Sequence, residues 1–271
     1  MKYIEFLFVN FSALLLLSFT SVHAAPYADI VIDVKTSKVL HAENPDFRQH
    51  PAGLTKLMTL YVGFSALATG EVNLDEHVKI SLKAASEPVV NLGLRKDQEI
   101  KLRYLLRAIG IQGANDASTA LAEHVAASEK SFSQRMQIYS DELGLRKSTW
   151  RNPHGLTQSQ HLSTARDIAT LFISLERDFP EYFNLFSRRS DDAGMRQVAN
   201  SSRRVLNAIN GATGAKYGYT RAAGFNNVVM VERGDKKIVV VVLGARSKAS
   251  LVAHTKLLVE RVFAKMSSPK K

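Results

Sequence analysis

The stretch that decides the fold is His50-Pro51-Ala52-Gly53-Leu54-Thr55-Lys56-Leu57-Met58-Thr59. Apolar residues at helical spacing run from Leu54 to Leu67 and stop at Gly70, which predicts a largely buried helix with Lys56 in its first turn. Lys56 lies three residues after Gly53, and residues three apart share one face of a helix. A neutral lysine there can take the proton of a hydroxyl on the same face, but position 53 has none. Because any helix can carry such a pair, the stretch becomes informative only with companion motifs.

Two companion segments follow in the chain. The first is Ile111-Gln112-Gly113-Ala114-Asn115-Asp116-Ala117-Ser118, in which Gly113 and Asn115 take the fixed places of a Ser-x-Asn element. The second covers residues 214–226 and contains Lys216-Tyr217-Gly218, in the places of a Lys-Thr-Gly strand that recognises a carboxylate. All three elements of a serine-lysine active site are therefore present in the expected order.

With these motifs the chain resembles the serine D-Ala-D-Ala carboxypeptidases, the low-molecular-mass penicillin-binding proteins. Asn152-Pro153-His154-Gly155-Leu156 and His161-Leu162-Ser163-Thr164-Ala165-Arg166-Asp167 are similar to connecting segments of that family. The resemblance runs from about Ala28 to Ala264. It implies an α+β fold of the penicillin-binding-protein and β-lactamase type, with an antiparallel sheet built from both termini and a central helical block. It also implies a cell-wall context.

The departures from the family pattern fall on its reactive hydroxyls. Gly53 replaces the nucleophilic serine, Gly113 replaces the serine of the second element, and Tyr217 replaces the threonine of the third. The resemblance implies that the family's serine at this place relays a proton to the leaving group, which Gly113 cannot do. It also implies that the phenol of Tyr217 stands where a small side chain should meet the substrate carboxylate. Loss of the nucleophile alone costs a serine hydrolase on the order of 10⁶ in turnover. The three losses together predict a pseudoenzyme.

Other hydroxyls are poor substitutes for the missing serine. Thr55 is adjacent to position 53, and neighbouring helix residues point about 100° apart, so its hydroxyl should face away from Lys56. Ser118 is expected to pack or to bond back within its own helix. Tyr217 and Tyr219 are expected to pack at the wall of the cleft.

The retained polar frame supplies the candidate site residues. Lys56, Asn115 and Lys216 are the remnants of the catalytic set. Lys56 is interpreted either as a base or as a buried cation held by Asn115 and backbone carbonyls. Lys216, on an edge strand beside a cleft, is expected to hold a peptide carboxylate. Substrate-binding residues are therefore predicted in one strand: Lys216, Tyr217, Gly218 and Tyr219.

No metal or cofactor site is predicted. His154 and His161 have no helical pairing like that of HExxH, and no carboxylates with ligand-like spacing lie nearby in the sequence. Asp191-Asp192 is interpreted as a turn. Gly-rich phosphate loops and dinucleotide fingerprints are absent from the sequence.

The order of secondary structure supports the implied fold class. The N-terminal hairpin is predicted from strands at 28–34 and 38–42, and Gly234-Asp235 predicts a second hairpin. The other predicted strands are 215–220, 223–233 and 238–245. The predicted helices are 54–67, 102–111, 116–127, 129–143, 164–175 and 250–266. Strands at both ends around a helical middle indicate an α+β domain.

Residues 1–24 have the features of a signal peptide. Lys2 begins the segment, an apolar run extends from Phe6 to Phe19, and Val22-His23-Ala24 offers a small-residue cleavage site before Ala25. Export to the periplasm or cell envelope is therefore expected, followed by one domain over 25–266 and a basic tail over 267–271. With no cysteine in the sequence, disulfides and thiolate sites are excluded.

The formal net charge of +11 favours polyanionic partners. Lys and Arg are scattered, and pairs such as Arg188-Arg189 and Arg203-Arg204 are interpreted as solvated loop charge, so nucleic acid is not the expected partner. A peptidoglycan peptide or a cell-wall enzyme is expected instead. A stable membrane anchor is not expected, and the sequence leaves the oligomeric state open.

Three functions remain open at this point. The first is an inactive family member that binds stem peptides or a cell-wall enzyme, the second an active carboxypeptidase with a rearranged site, and the third a structural scaffold. If the cleft keeps the family's shape, Gly53→Ser combined with Gly113→Ser and Tyr217→Thr is expected to restore some acylation by penicillin.

Overall fold

The computed structural model of the chain describes residues 27–267. The predicted signal segment and residues 268–271 of the predicted basic tail lie outside the described residues. Within them, the strands are β1 (Ala28–Asp33), β2 (Val39–Glu43), β3 (His77–Lys79), β4 (Glu99–Lys101), β5 (Ser190–Asp192), β6 (Gln197–Ala199), β7 (Ala212–Thr220), β8 (Gly224–Arg233) and β9 (Lys236–Ala245). The α-helices are α1 (Thr55–Ala68), α2 (Leu82–Ala85), α3 (Leu102–Arg107), α4 (Asn115–Ala126), α5 (Glu129–Glu142), α6 (Ala165–Asp178), α7 (Pro180–Phe183), α8 (Arg203–Ala208) and α9 (Lys248–Ser267).

The central sheet joins the two ends of the chain. Its five antiparallel strands follow the order β2-β1-β9-β8-β7, so β1 pairs along its full length with β9, more than 200 residues later in the sequence. The predicted hairpins between β1 and β2 and between β8 and β9 are both present. The predicted α+β fold, with a sheet built from both termini and a helical block between, is confirmed. β7 lies at the edge of the sheet and leaves one side of its backbone unpaired.

The two faces of the sheet pack on different helices, as the alternation of strand residues requires. Val228 and Met230 of β8 face the helical block and join the core cluster that contains α1, α4 and α6 residues. Val229 and Val231 face the other way and pack with the apolar side of α9. A residue of β7 therefore points either into the helical block or towards α9, depending on its register with β8.

Two predictions for the middle of the chain are corrected by the structure. The helix predicted over 102–111 is broken: α3 ends at Arg107, and a π-helical turn, Ala108–Gln112, leads into Gly113. Gly113 has φ of +86°, which a glycine adopts readily and other residues do not. Asp191 and Asp192 do not form a turn but belong to β5, which pairs with β6. The turn at Gly113 positions the second motif.

No helix among residues 27–267 is both long enough and apolar enough to cross a bilayer.

Candidate active site

The turn that carries Gly53 is fixed to the central sheet. A short 3-10 helix, Ala52–Leu54, precedes α1. The side chain of Asn226 on β8 is fully buried and donates to the carbonyl oxygens of His50 at 3.2 Å and Pro51 at 3.3 Å. Its own amide oxygen accepts the Gly244 N–H at 2.8 Å. Because a buried amide in three such bonds holds its partners in place, the position of Gly53 relative to the strands is well defined.

Gly53 lies directly against the backbone of β7. A β-carbon added to Gly53 would be 2.9 Å from the carbonyl oxygen of Tyr217 and 3.0 Å from Cα of Gly218. A β-carbon added to Gly218 would be only 2.4 Å from the nitrogen of Gly53. These are backbone atoms, which cannot turn aside as a flexible side chain does. Position 53 therefore lacks the serine, and a side chain there would require the backbone of β7 to shift.

Lys56 lies one turn further along, and its amine is enclosed. Nζ donates to Oδ1 of Asn115 at 2.7 Å and to the carbonyl oxygen of His154 at 2.6 Å, and the residue is only 3% exposed. Burial lowers the pKa of Lys56 to about 7, although the carboxylates of Glu87 and Asp116 oppose this shift. Lys56 and Asn115 therefore meet as predicted, with an amine held by an amide and a backbone carbonyl. Neither acceptor offers a proton that the amine could take.

Asn115 and Asp116, at the start of α4, hold the opposite wall of the cleft. Nδ2 of Asn115 donates to the carbonyl oxygens of Pro88 at 3.1 Å and Val89 at 3.0 Å. The buried carboxylate of Asp116 accepts backbone N–H groups of the same loop, from Leu92, Gly93 and Leu94 at 2.8 to 3.1 Å. This loop exposes Val89 and Val90 at the mouth of the cleft. The second motif thus retains a structural task that does not depend on the missing serine.

Gly113 faces the third motif, as the resemblance implies. A β-carbon built on it would lie 3.8 Å from Nζ of Lys216 and 3.9 Å from Oγ of Ser201, so space for a side chain exists. The positive φ of Gly113 would nevertheless strain a serine there by roughly 1–3 kcal/mol. Ser201 brings a hydroxyl close to this position. No motif in the sequence marked Ser201, because it lies in a connection far from the three elements.

Lys216 is turned away from the cleft surface. The residue is fully buried, and Nζ donates to the carbonyl oxygens of Ile109 and Gly110, the latter at 2.7 Å. Burial lowers the pKa of Lys216 well below its ordinary value, and the charge of Lys56 adds to this effect. Its role in holding a ligand carboxylate stays a prediction. In this structure its amine is taken up by the π-helical turn.

Tyr217 and Tyr219 lie on the opposite face of β7 from Lys216. Tyr217 pairs in register with Asn227, whose side chain bonds to Thr255 of α9, and the Tyr217 ring lies 4.4 Å from Nζ of Lys248. Tyr217 and Lys216 therefore point to opposite faces of β7. The expectation that the Tyr217 phenol stands where a side chain meets the ligand carboxylate stays a prediction. Tyr219 packs on Phe225 and is half exposed.

A cleft of about 300 Å³ connects most of the predicted site residues. Its lining includes Gly53, Lys56, Gly113, Asn115, Tyr217, Gly218 and Tyr219. Lys216 is the predicted site residue that does not reach the lining, since its side chain lies beneath the floor. Ser201 and the exposed Val89 and Val90 complete the walls. The cleft is therefore mainly apolar where it opens and polar at its base.

The alternative hydroxyls have structural partners. Oγ1 of Thr55 bonds to Nε2 of His161 at 2.8 Å, and Nδ1 of the same ring accepts the Arg151 N–H at 3.0 Å. Burial lowers the pKa of His161 to about 3, so the ring is neutral. Oγ of Ser118 bonds back to the Ala114 carbonyl at 2.7 Å. The predictions that Thr55 and Ser118 serve the structure are confirmed.

The surroundings of His154 differ from the sequence expectation. Glu87 and Glu129, distant in sequence, bring carboxylate oxygens 3.7 Å and 3.5 Å from Nε2 of His154, and the three ligand atoms form a group that could hold a metal ion. Neither carboxylate lies near His154 in the sequence, so the spacing of residues gave no indication of this group. However, Nδ1 accepts the Leu156 N–H at 3.2 Å, which places the ring proton on Nε2, facing the carboxylates. In this tautomer Nε2 is a hydrogen-bond donor, unsuited to bind a metal.

The motifs and the fold agree with known proteins. A family model of the D-alanyl-D-alanine carboxypeptidases, peptidase S11, matches residues 18–247. The chain belongs to this family. Its relatives include the D-alanyl-D-alanine carboxypeptidase DacF of Bacillus subtilis (strain 168), 30% identical over 240 residues, which cover 87% of this chain and 61% of that protein. DacC of Escherichia coli (strain K12) is 33% identical over 224 residues, which cover 80% and 56%.

The same family likeness extends to solved structures. Penicillin binding protein 5 from Haemophilus influenzae superposes with a TM-score of 0.82 at 30% sequence identity, covering 88% of this chain and 70% of that chain. The likeness confirms the predicted penicillin-binding-protein fold. The chain spans about three fifths of the length of the curated relatives it matches.

Proposed function

We propose that this carboxypeptidase-like protein is a non-catalytic member of its family, which binds a peptidoglycan stem peptide in the cleft beside β7. The observation that carries the proposal is the backbone contact between Gly53 and Gly218, because a side chain at position 53 would require β7 to shift. An acyl-enzyme route needs an attacking oxygen within reach of its base. Here the amine of Lys56 is engaged by Asn115 and His154 instead.

The cleft retains features suited to an extended peptide. β7 is an edge strand, and an extended chain can add to such an edge through main-chain hydrogen bonds. Apolar side chains of Val89 and Val90 stand opposite, held in place by Asn115 and Asp116. These features support the binding of a peptide and do not depend on a catalytic step. A segment of a cell-wall enzyme would present the same extended backbone, and it is the other ligand of this proposal.

Export to the cell envelope belongs to the same proposal. It rests on the charge, apolar run and small-residue cleavage site of residues 1–24. Export would place the cleft where peptidoglycan peptides are found. Sequencing of the N-terminus of the protein recovered from the cell envelope, with Ala25 as the expected first residue, tests this step.

The decisive experiment is labelling of the purified protein with fluorescent penicillin. We expect no covalent label, alongside stoichiometric labelling of an active carboxypeptidase in the same gel. Isothermal titration with a stem pentapeptide should meanwhile detect binding. Stoichiometric covalent labelling would refute the proposal that the protein is inactive. Absence of peptide binding would refute the proposal that a stem peptide is its ligand.

A second function is favoured by one specific observation. Nζ of Lys56 donates to Oδ1 of Asn115 at 2.7 Å, and the pKa of Lys56 is lowered to about 7, close to that of a useful general base. An active carboxypeptidase with a rearranged site would use this pair. Release of D-alanine from a pentapeptide, lost in Lys56→Ala, would establish that function. No release from the unmodified protein would exclude it.

A further inference from the structure

A second pocket lies between α5 and residues 150–158. Its volume is about 630 Å³, within the range of roughly 300 to 1,000 Å³ that is usual for ligand sites. Arg151 and Gln158 line it, whereas His154 and Leu156, between them in sequence, line the cleft. The two linings have no residue in common among those that the structure describes. We call this second cavity the α5 pocket.

Two residues that line the α5 pocket carry a buried polar atom without a hydrogen bond. Trp150 is only 2% exposed, and its Nε1 has no partner among residues 27–267. Oγ of Ser133, on α5, is also buried and has no partner there. Buried polar groups in folded proteins nearly always have a partner, and an indole N–H can only donate. The missing partner of Trp150 is therefore an acceptor that the described part of the chain does not supply.

The orientation of the Trp150 ring is fixed by its neighbours. Thr149 and Leu162 exchange backbone hydrogen bonds at 2.8 and 3.1 Å, which hold the chain just before Trp150. The indole packs edge-on against His161, with ring centroids 5.8 Å apart, and His161 is held in turn by Thr55. Because the ring cannot readily turn towards another acceptor of the protein, the unmade bond points to a ligand.

The charges of the α5 pocket favour an anion. Lys130 and Arg151 line it, are exposed, and form no ion pair with a carboxylate within residues 27–267. Lys83 pairs with Glu129, the one acidic side chain among the described residues of the lining. Three cations and one carboxylate leave a positive excess, which attracts anions. An anionic oxygen is also a strong acceptor for an N–H donor such as that of Trp150.

The remaining polar side chains suit hydroxyl groups. Gln134, Gln137 and Gln158 line the same pocket, and each amide both donates and accepts hydrogen bonds. A hydroxyl group does the same, so amides and hydroxyls complement one another. The pocket is also much larger than a single oxyanion. Its lining therefore fits an anionic group carried on a body rich in hydroxyls.

We propose that the α5 pocket binds an anionic saccharide. The anionic group pairs with Lys130 and Arg151, and an oxygen of the ligand accepts the N–H of Trp150. Hydroxyl groups of the sugar bond to the glutamine amides. A sugar phosphate and a sugar carboxylate share this chemistry, and the experiment below distinguishes them. The inference does not depend on the proposed function, since it concerns a different pocket.

The experiment follows the indole N–H of Trp150 directly. Trp150 is the only tryptophan of the sequence, so a ¹⁵N-labelled sample gives one indole N–H signal in its NMR spectrum. Glucose 6-phosphate, glucuronate and glucose are each titrated at matched ionic strength. The proteins are the unmodified chain, Lys130→Gln/Arg151→Gln, and a control with equal loss of charge at exposed positions outside the pocket, Lys35→Gln/Lys256→Gln. Circular dichroism verifies that both variants are folded.

We expect at least one of the two anionic sugars to shift the indole signal downfield to saturation, because a new hydrogen bond deshields the proton. Its dissociation constant should be about tenfold lower than that of glucose, since exposed ion pairs each contribute modestly and two act together. The double variant should lose this tenfold preference, and the control should keep it. Should the double variant fail to fold, Lys130→Gln alone should weaken binding of the anion about threefold by the same reasoning.

The two anions identify the source of the charge. Tighter binding of glucose 6-phosphate assigns the pocket to a phosphate, and tighter binding of glucuronate assigns it to a carboxylate. An indole signal that none of the three sugars moves would overturn the proposal, since the N–H would then be satisfied by water. Equal affinity for glucose and the anions, or an anion preference that persists in the folded variants, would overturn it as well. Penicillin labelling and peptide titration test the proposed function separately.

Discussion

Gly53 and Gly218 lie back to back, so close that a β-carbon on either one would collide with the backbone of the other. The nucleophile position of the first motif and the glycine of the third motif are therefore in mutual contact. The loss of the serine and the approach of β7 are two aspects of one packing arrangement, because the approach is possible only without a side chain at position 53.

Restoring the hydroxyls should consequently not restore acylation. We expect Gly53→Ser/Gly113→Ser/Tyr217→Thr to remain unlabelled by fluorescent penicillin, since a serine at position 53 would displace β7 and a serine at position 113 would be strained at positive φ. This replaces the expectation drawn from the motifs alone, which assumed a cleft of the family's shape. Strong labelling of the triple variant would show that β7 moves aside easily.

The same contact predicts a loss of stability at Gly53. Gly53→Ala adds a single methyl group against the Tyr217 carbonyl and Gly218, and we expect it to lower the free energy of unfolding by roughly 1–3 kcal/mol, as overpacking does. Gly53→Ser should lower the free energy of unfolding by about as much, since the clash with the β7 backbone arises from the β-carbon itself. Urea unfolding of both variants measures this, and a stability equal to that of the unmodified protein would contradict the close contact.

Lys56 should make stability depend on pH in the alkaline range. Its pKa is about 7 in the folded protein and near 10.5 when unfolded, so the unfolded chain binds more protons between these values. Stability therefore rises with pH from about 7 to 10.5, and the cost of burying the amine is fully present below pH 7. Relative to Lys56→Met, the unmodified protein should gain a few kcal/mol across this window. Equal slopes for both proteins in urea unfolding at several pH values would argue against a neutral buried amine.

The parts of the site that follow local rules were accessible from the sequence. The spacing of Gly53 and Lys56, and the alternation of β7 residues, follow from the geometry of one helix and one strand, and the meeting of Lys56 with Asn115 follows from the family motifs. The hydrogen bonds of Lys216 to the Ile109 and Gly110 carbonyls could not be predicted from the sequence. They depend on a π-helical turn in a segment whose apolar spacing predicts an ordinary α-helix. The approach of β7 to Gly53 likewise depends on how distant elements pack.

The environment of His154 illustrates the same limit. Glu87 and Glu129 lie 67 and 25 residues before it, on different elements, and no spacing rule connects them. A sequence also does not show which cations lack acidic partners, as Lys130 and Arg151 do among residues 27–267.

Asp116 should control the order of the loop that forms the far wall of the cleft. Its carboxylate accepts the N–H groups of Leu92, Gly93 and Leu94, and Asp116→Ala would leave these three donors without that acceptor. We expect the free energy of unfolding to fall by about 1–3 kcal/mol and amide hydrogen exchange to become faster over residues 86–94. Exchange in α5 should not change. Asp235→Ala, at an exposed turn, is the matched control. Unchanged exchange in the loop would contradict this role.

Glu129 should contribute stability that disappears only in strong acid. Burial alone would raise its pKa, but hydrogen bonds from His154 and Lys83, together with the charge of Lys83, outweigh burial and lower the pKa to about 2. A carboxyl with a lowered pKa stabilises the fold above its unfolded value, near 4.5, and this stabilisation is lost as the pH falls towards 2. Between pH 5 and 2, the free energy of unfolding measured in urea should therefore fall less for Glu129→Gln than for the unmodified protein. Glu142→Gln, at an exposed position at the end of α5, should decline like the unmodified protein. If the free energy of unfolding of Glu129→Gln fell just as steeply, the contacts of Glu129 with Lys83 and His154 would add no stability.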